Sequence, residues 1–365
     1  MKKVLIAMSG GVDSSAAALL LQKEGYDCAG AMMRLYVPGM DLQKESGRVL
    51  SGADAVTDAE RDAAAAAAAL GIPFSIYDMR GDFFRWVIQD FIDVYKAGDT
   101  PNPCITCNRT MKFGAFLDMA RRMGYDKIAT GHYARVSCEN GRYTLYKADD
   151  PAKDQSYVLW SLGQEQLSSL LLPLGSRNKE EARAAARAGA LGTADKKESQ
   201  DICFVPDGDY AGFIERTLGI SFPEGDFVDE QGRVLGRHRG IIRYTVGQRR
   251  GLGISAGEPL YVLSKDAKKN QIVLGPEKGL FSGGLSAVCA NWICGQAPAS
   301  PLRVQARIRY NQKAFPATVV RAGEDAFCLA FDAPQRAVSP GQSVVLYAGA
   351  RVLGGGIIAA AQPTG

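Results

Sequence analysis

The sequence predicts an α/β protein with an N-terminal doubly wound parallel sheet, a small β-rich central domain and a C-terminal β-barrel. Two observations carry this. Up to about residue 130, short β-rich apolar runs alternate with helical stretches, which is the pattern of βαβ units. Beyond Val205 the texture changes to many short β-type segments separated by Gly, Pro and Asp. The 365-residue length fits two or three domains at roughly 100–200 residues each. Boundaries are expected at 1–204, 205–275 and 276–365. A composition of 46% hydrophobic and 22% charged residues, with no long like-charge block, excludes a disordered or fibrous chain.

Taken in order, 4–8 is a continuous apolar run that reads as a buried strand, followed by a helix over 14–24 and a second strand over 30–33. The alanine-rich stretch 58–70 predicts a helix stopped by Gly71, and 72–77 a third strand. After a helix over 83–96, Thr100-Pro101-Asn102-Pro103 reads as a Pro-broken loop, because proline removes a donor and restricts the residue before it. A helix from about 110 to 123 then leads into a strand over 127–130. Beyond 205, strands are predicted over 233–235, 241–245, 260–263, 271–274, 302–309, 317–320, 326–331 and 343–347.

The start, Met1-Lys2-Lys3 and five apolar residues, imitates a secretory signal, but Ser9-Gly10-Gly11 and Asp13 interrupt it. No apolar run approaches the roughly 18–20 residues that cross a bilayer, so a cytoplasmic protein with no membrane partner is expected. The 8 cysteines at irregular spacing do not read as a disulfide framework. In a reducing compartment they are buried thiols, metal ligands or reactive groups.

Charge is local. From Gly232 to Asn270 there are nine Lys/Arg, including Arg249 and Arg250, against Glu258 and Asp266, although the whole chain carries only +4. Between Lys278 and Gly323 there is no acid, while Arg303, Arg307, Arg309, Lys313 and Arg321 occur. These tracts fit a polyanion partner for the C-terminal half or, on charge alone, a solvated cationic face.

The first strand–helix junction carries Ser9-Gly10-Gly11-Val12-Asp13-Ser14-Ser15. Glycines let backbone N–H groups turn inward, serines add hydroxyl donors, and a helix N-terminus adds partial positive charge. Together these make a cradle for phosphate or pyrophosphate, where an ordinary turn is the plainer alternative. It is not a Walker A loop, since no Gly-Lys-Ser/Thr follows, and it lacks G-x-G-x-x-G. Asp13 suits either a Mg²⁺ ligand or a helix cap. Cys104-Ile105-Thr106-Cys107 lies in the Pro-rich loop before the predicted helix, whose dipole would favour thiolate. Cys203 lies in Ser199-Gln200-Asp201-Ile202-Cys203-Phe204. Structural zinc needs four ligands, and no second C-x-x-C or suitably spaced His exists.

The loop resembles the PP-loop of ATP pyrophosphatases, which cleave ATP between its α and β phosphates. The wider pattern resembles the bacterial tRNA-specific 2-thiouridylases along the whole chain. The matching segments are AMSGGVDSS at 7–15, TPNPCITCNR at 100–109, KFG at 112–114, ATGHYAR at 129–135, KDQSY at 153–157 and SQDICF at 199–204. They continue with YTVGQRRGLGI at 244–254, IRY at 308–310, VSPGQS at 338–343 and LGGGII at 353–358. The resemblance implies an adenine nucleotide α-hydrolase-like PP-loop domain. It also implies ATP binding by Ala7, Met8, Ser9, Gly10, Gly11, Val12, Asp13, Ser14, Met33 and Gly131, with Mg²⁺. Asn102, Pro103 and Cys104 would contact the target base. His132, Lys153, Asp154, Gln155, Arg309, Tyr310 and Gln342 would contact tRNA.

The resemblance implies a reaction as well. ATP adenylates O2 of the wobble uridine in tRNAs of the lysine, glutamate and glutamine type, and a persulfide sulfur on Cys203 displaces AMP. Cys107 then resolves the persulfide, leaving a Cys107–Cys203 disulfide. The sulfur would come from a persulfide donor, a cysteine desulfurase or sulfur-relay protein, and a monomer is expected. The family motif commonly carries Asp where this chain has Cys104, and that Asp has an acid/base role. Cys104, Cys107 and Cys203 also equal the ligand count of a [4Fe-4S] cluster with one open iron, an alternative route to the same product. A PP-loop enzyme that amidates or ligates a small molecule would share only 7–15.

Overall fold

The computed structural model describes residues 1–37, 48–50, 56–194 and 202–364. The first sheet has the order β3-β4-β2-β1-β5-β8, from β1 (Lys3–Ala7), β2 (Asp27–Arg34), β3 (Arg48–Val49), β4 (Phe74–Asp78), β5 (Lys127–Ala129) and β8 (Leu170–Leu171). All its pairings are parallel except that of β3 with β4. β1 lies centrally, and Val4, Leu5 and Ile6 are at most 1% exposed. That explains why it reads as an unbroken apolar run, since both of its faces are covered. Helix Val12–Lys23 covers one face with Ala16, Ala17 and Ala18, all fully buried, whose small side chains allow close approach to the sheet. Helix Asp58–Ala69 starts with a capping box between Thr57 and Glu60.

Two sequence expectations are corrected here. Residues 100–102 are irregular as expected, but the helix does not wait until about 110: Asn102 caps, and Pro103 opens, a helix Pro103–Cys107 that runs on through a π-helical stretch Asn108–Ala115 into Phe116–Arg122. Asn followed by Pro is a helix start, because proline at the first helical position gives up only an N–H that has no partner there. The region after 205 is not purely β, because helix Tyr210–Leu218 precedes the strands, and 241–243 forms a 3₁₀ turn instead of a strand.

The central sheet, of order β10-β9-β12-β11, is built from β9 (Gly225–Val228), β10 (Val234–His238), β11 (Tyr261–Asp266) and β12 (Gln271–Gly275). The C-terminal strands are β13 (Phe281–Trp292), β14 (Leu302–Arg307), β15 (Phe315–Ala322), β16 (Ala326–Arg336), β17 (Ser343–Ala348) and β18 (Arg351–Gln362). They close into a six-stranded barrel through pairing of β13 with β18. A hairpin of β6 (Ala134–Glu139) and β7 (Arg142–Lys147) leaves the N-terminal part and pairs with β18 through Tyr146 and Arg351. Tyr157, fully buried, donates its hydroxyl to Ser343 O at 2.8 Å and ties the same regions together. No helix among the described residues is long and apolar enough to cross a membrane.

Candidate active site

A cleft of about 510 Å³ opens at the carboxyl ends of the parallel strands, where open α/β sheets bind ligands. Its lining includes Ser9, Asp13 and Ser14 of the first loop, Met33 and Arg34 from the end of β2, Gly131 and His132 after β5, and Gln155, Lys112 and Cys203.

The loop is held open by its own hydrogen bonds. Ser9 N–H donates to Ser14 Oγ at 3.1 Å, and the hydroxyls of Ser14 and Ser15 donate to Gly11 O at 3.2 and 3.0 Å. Gly10 has φ +70, and a Cβ there would meet Ala59 O at 2.2 Å; a Cβ on Gly131 would meet the backbone of Asp13 and Ser14 at 2.7 and 2.8 Å. The loop is therefore pressed between helix Asp58–Ala69 and the end of β5, and only bare backbone fits at these points. Gly11 caps helix Val12–Lys23, so Asp13 is not the cap. Asp13 Oδ1 instead accepts from Tyr133 OH at 2.8 Å and Lys179 Nζ at 2.7 Å.

Beside the loop, Arg34 and Glu60 form a bidentate pair at 2.6 and 2.8 Å. Burial raises the Glu60 pKa, but hydrogen bonds from Arg34 and the Thr57 N–H, with the Arg34 charge, hold it below the usual value. His132 Nδ1 lies 2.8 Å from Thr130 Oγ1, and its ring sits 5.8 Å from that of Phe113. Burial and the Lys112 charge push its pKa well below the ordinary value, so the imidazole is neutral.

Cys104 is exposed, Cys107 is buried and Cys203 is exposed at the cleft, and none of the three is in a disulfide. The expected dipole-favoured thiolate is corrected: Cys107 ends helix Pro103–Cys107, and burial raises its pKa to about 12 despite Lys112. Desolvation, then Cys104, push Cys203 up to about 11, opposed by Lys112 and by the Cys203 and Phe204 amides. Lys112 thus faces both thiols and His132, and it has no carboxylate partner among the described residues. The KFG segment contains it, but nothing local in the sequence gives it a role. Among the described residues no three His, Cys, Asp or Glu side chains, these cysteines included, come together as metal ligands.

Asn102, Pro103 and Cys104, expected from the sequence to contact the target base, are the cap and first turn of the cysteine helix, with Asn102 Oδ1 accepting from Ile105 N–H at 3.4 Å. Tyr310, from the barrel, faces Cys104 and hydrogen-bonds Gln155. Gln155 Oε1 accepts from Tyr133 N–H at 2.9 Å. Arg309 Nη2 donates to Ala337 O at 2.8 Å. Lys153 is half-buried in the turn after β7. Asp154 is 8% exposed and accepts from the Ala148 and Ser156 backbones, Ser156 Oγ and Arg307 Nη1. It holds Arg307 and the turn. Ser199, Gln200 and Asp201 of the SQDICF segment lie outside the described residues.

The basic tract also divides. Arg233, Arg237, Arg243 and Lys269 are paired with Asp229, Asp226, Glu215 and Asp266. Lys265 donates to Tyr244 O at 2.8 Å, and burial lowers its pKa to about 8. Arg249 and Arg250 are exposed. The second histidine, His238, is fully buried against Asn270 O at 3.1 Å and belongs to the core.

The parallel sheet, the glycine–serine loop at its first turn and the appended β-domains define a PP-loop-type enzyme of the HUP class. Family profiles agree in chain order: a "tRNA methyl transferase HUP domain" over 2–207, a "tRNA methyl transferase PRC-barrel domain" over 211–276 and an "Aminomethyltransferase beta-barrel domain" over 282–358. Among curated relatives, the tRNA-specific 2-thiouridylase MnmA of Carboxydothermus hydrogenoformans is 47% identical, covering 98% of this chain and 97% of its own. Those of Clostridioides difficile and Clostridium acetobutylicum are 46% and 45% identical, each over 98% of this chain, and 98% and 99% of their own. The chain belongs to the tRNA-specific 2-thiouridylase family.

Proposed function

We propose that this chain converts the wobble uridine of lysine-, glutamate- and glutamine-type tRNAs to 2-thiouridine, using ATP. The observation that carries this reading is the shared cleft: residues of the Ser9–Ser14 loop and Cys203 line one cavity, together with Lys112, His132 and Gln155. A ligase acting on a small molecule has no use for the cysteine in that lining.

Fit to ATP rests on Gly10 and Gly131, whose contacts with the backbones of Ala59 and of Asp13 and Ser14 leave no room for a Cβ and fix the shape of the loop. ATP, when bound there with Mg²⁺, turns uridine O2 into a leaving group. Ser9, Gly10, Gly11 and Ser14 hold the phosphates with backbone and hydroxyl donors, and Met33 lies at the strand end suited to the adenine. Asp13 is oriented by Tyr133 and Lys179. Asn102, Pro103 and Cys104 meet the base, while His132 and Gln155 meet the nucleotide inside the cleft. Arg309, Tyr310 and Lys153 meet tRNA outside it.

Cys203 carries the persulfide. Its terminal sulfur attacks C2 and AMP departs with the O2 oxygen. Cys107 thiolate then attacks Cys203 Sγ, breaking the S–S bond, leaving sulfur on C2 and forming a Cys107–Cys203 disulfide. A thiol reductant reopens it, and a persulfide donor protein reloads Cys203. The reading places the protein in the cytoplasm as a monomer. The test is mass spectrometry of tRNA nucleosides after incubation with ATP, Mg²⁺ and a persulfide donor. The expected products are 2-thiouridine, AMP and pyrophosphate; ADP with phosphate would overturn it.

A further inference from the structure

The chain enters the cysteine helix through a strap, residues 98–101, gripped from two sides. From the barrel side, Gln342 Nε2 donates to Thr100 O at 3.1 Å and Pro101 O at 2.9 Å, and Thr100 N–H donates to Pro340 O at 3.0 Å. Gly341 between them has φ +84, and a Cβ on it would lie 2.8 Å from Thr100 O, so the two backbones touch. This segment is itself fixed to β18, because Gly341 N–H donates to Ile358 O and Ile358 N–H to Gln342 O, at 2.9 and 2.8 Å. From the central sheet, Ala267 and Lys265 lie beside Gly98, and Lys265 faces the Asp99 carboxylate.

The proline content of the strap explains the grip. Pro101 in the strap and Pro103 just beyond it have no N–H, so the strap cannot build a backbone ladder of its own, and its carbonyls need donors from elsewhere. A primary amide has two hydrogens, and Gln342 directs both at those carbonyls. That leaves no donor on its side chain for a tRNA group.

We propose that Gln342, with Pro340 and Gly341, is a positioning element for the cysteine helix, so that barrel docking sets where Asn102, Cys104 and Cys107 stand. This rests on the reading of that helix as part of the reaction site. It gives the VSPGQS segment a role distinct from the tRNA contact that resemblance implies for Gln342.

The experiment compares the full chain with Gln342→Ala, the isosteric Gln342→Glu and Gly341→Ala, first without tRNA. Amide exchange at Thr100, Ile105 and Thr106 should quicken roughly tenfold when two hydrogen bonds are removed, while exchange in β1 stays as it was. In turnover, kcat for 2-thiouridine should fall while KM for tRNA stays within about twofold. Unchanged exchange in all three variants, or a raised KM at intact kcat, would overturn the proposal and put Gln342 on the tRNA. The exchange measurement involves no substrate, so it decides the clamp even if the chain proves to make no 2-thiouridine.

Discussion

Arg34 and Glu60 meet as a bidentate ion pair at the cleft, with side chains 4% and 1% exposed. β2 brings the arginine and the first turn of helix Asp58–Ala69 brings the carboxylate, so the pair joins strand to helix behind the phosphate loop. Glu60→Gln should destabilise the chain by about 3–5 kcal/mol at neutral pH, because it removes the charged partner of a buried ion pair. The folded-state pKa of Glu60 is depressed, so the pair's contribution is complete above the unfolded carboxyl value, about 4.3, and is lost as pH falls through the lower folded value. Urea midpoints at pH 7 and pH 3 check this: the gap between wild type and variant should be wide at the first and narrower at the second. An equal gap at both would assign the loss to packing.

The two glycines of the phosphate loop separate on geometry. A Cβ on Gly10 meets a backbone oxygen at 2.2 Å with φ at +70, whereas one on Gly11 meets nothing nearer than Ser9 Oγ at 3.5 Å. Gly10→Ala should therefore abolish tRNA-dependent pyrophosphate release, and Gly11→Ala should retain a measurable part. Equal loss in both variants would mean that bare N–H access at Gly11, not the fit against Ala59, limits binding.

The parallel sheet is legible in the sequence because β1 is central and reads as apolar on both faces, and the loop is legible because glycine and serine chemistry is local. The helix start at Asn102 is easily mistaken for a loop because proline punctuates both, and only the Asn before Pro103 distinguishes them. Strands β13 and β18 escape a sequence reading because their Gly- and Ala-rich stretches have little β-type side-chain signal, and pairing across the barrel supplies the order. Lys112 and Asp154 are opaque for another reason. Their roles depend on partners distant in sequence, Cys203 for one and Arg307 for the other.

Surface charge makes a third prediction. Arg233 and Arg237 are committed to Asp229 and Asp226, while Arg249 and Arg250 are exposed in the turn before β11. Neutralising Arg249 and Arg250 together should weaken tRNA binding and reduce the slope of log affinity against log salt by roughly 1–2, since fewer counterions are released. Neutralising Arg233 and Arg237 should leave the slope nearly as it was. Titrations at several salt concentrations decide, and an unchanged slope for Arg249 and Arg250 would return that tract to a solvated face.

Sulfur chemistry makes the last. Cys203→Ser and Cys107→Ser should each abolish 2-thiouridine formation in aerobically prepared protein, because in the proposed mechanism one carries the sulfur and the other releases it. Cys104→Ser should retain part, since the exposed thiol carries none; equal loss in all three would contradict the division of roles. Lys112 adds a pH signature. The thiols of Cys203 and Cys107 lie near 11 and 12 with the ammonium in place, and its charge favours the thiolate. Lys112→Met should therefore raise both values and slow Cys203 alkylation at pH 8 by roughly threefold or more, because a nearby opposite charge no longer stabilises the thiolate. Lys112→Arg should keep the wild-type profile. Alkylation rates followed by peptide mass spectrometry across pH 7–11 read this without ATP or tRNA. A Lys112→Met profile that overlays wild type would remove Lys112 from the sulfur step and leave its charge to the phosphates.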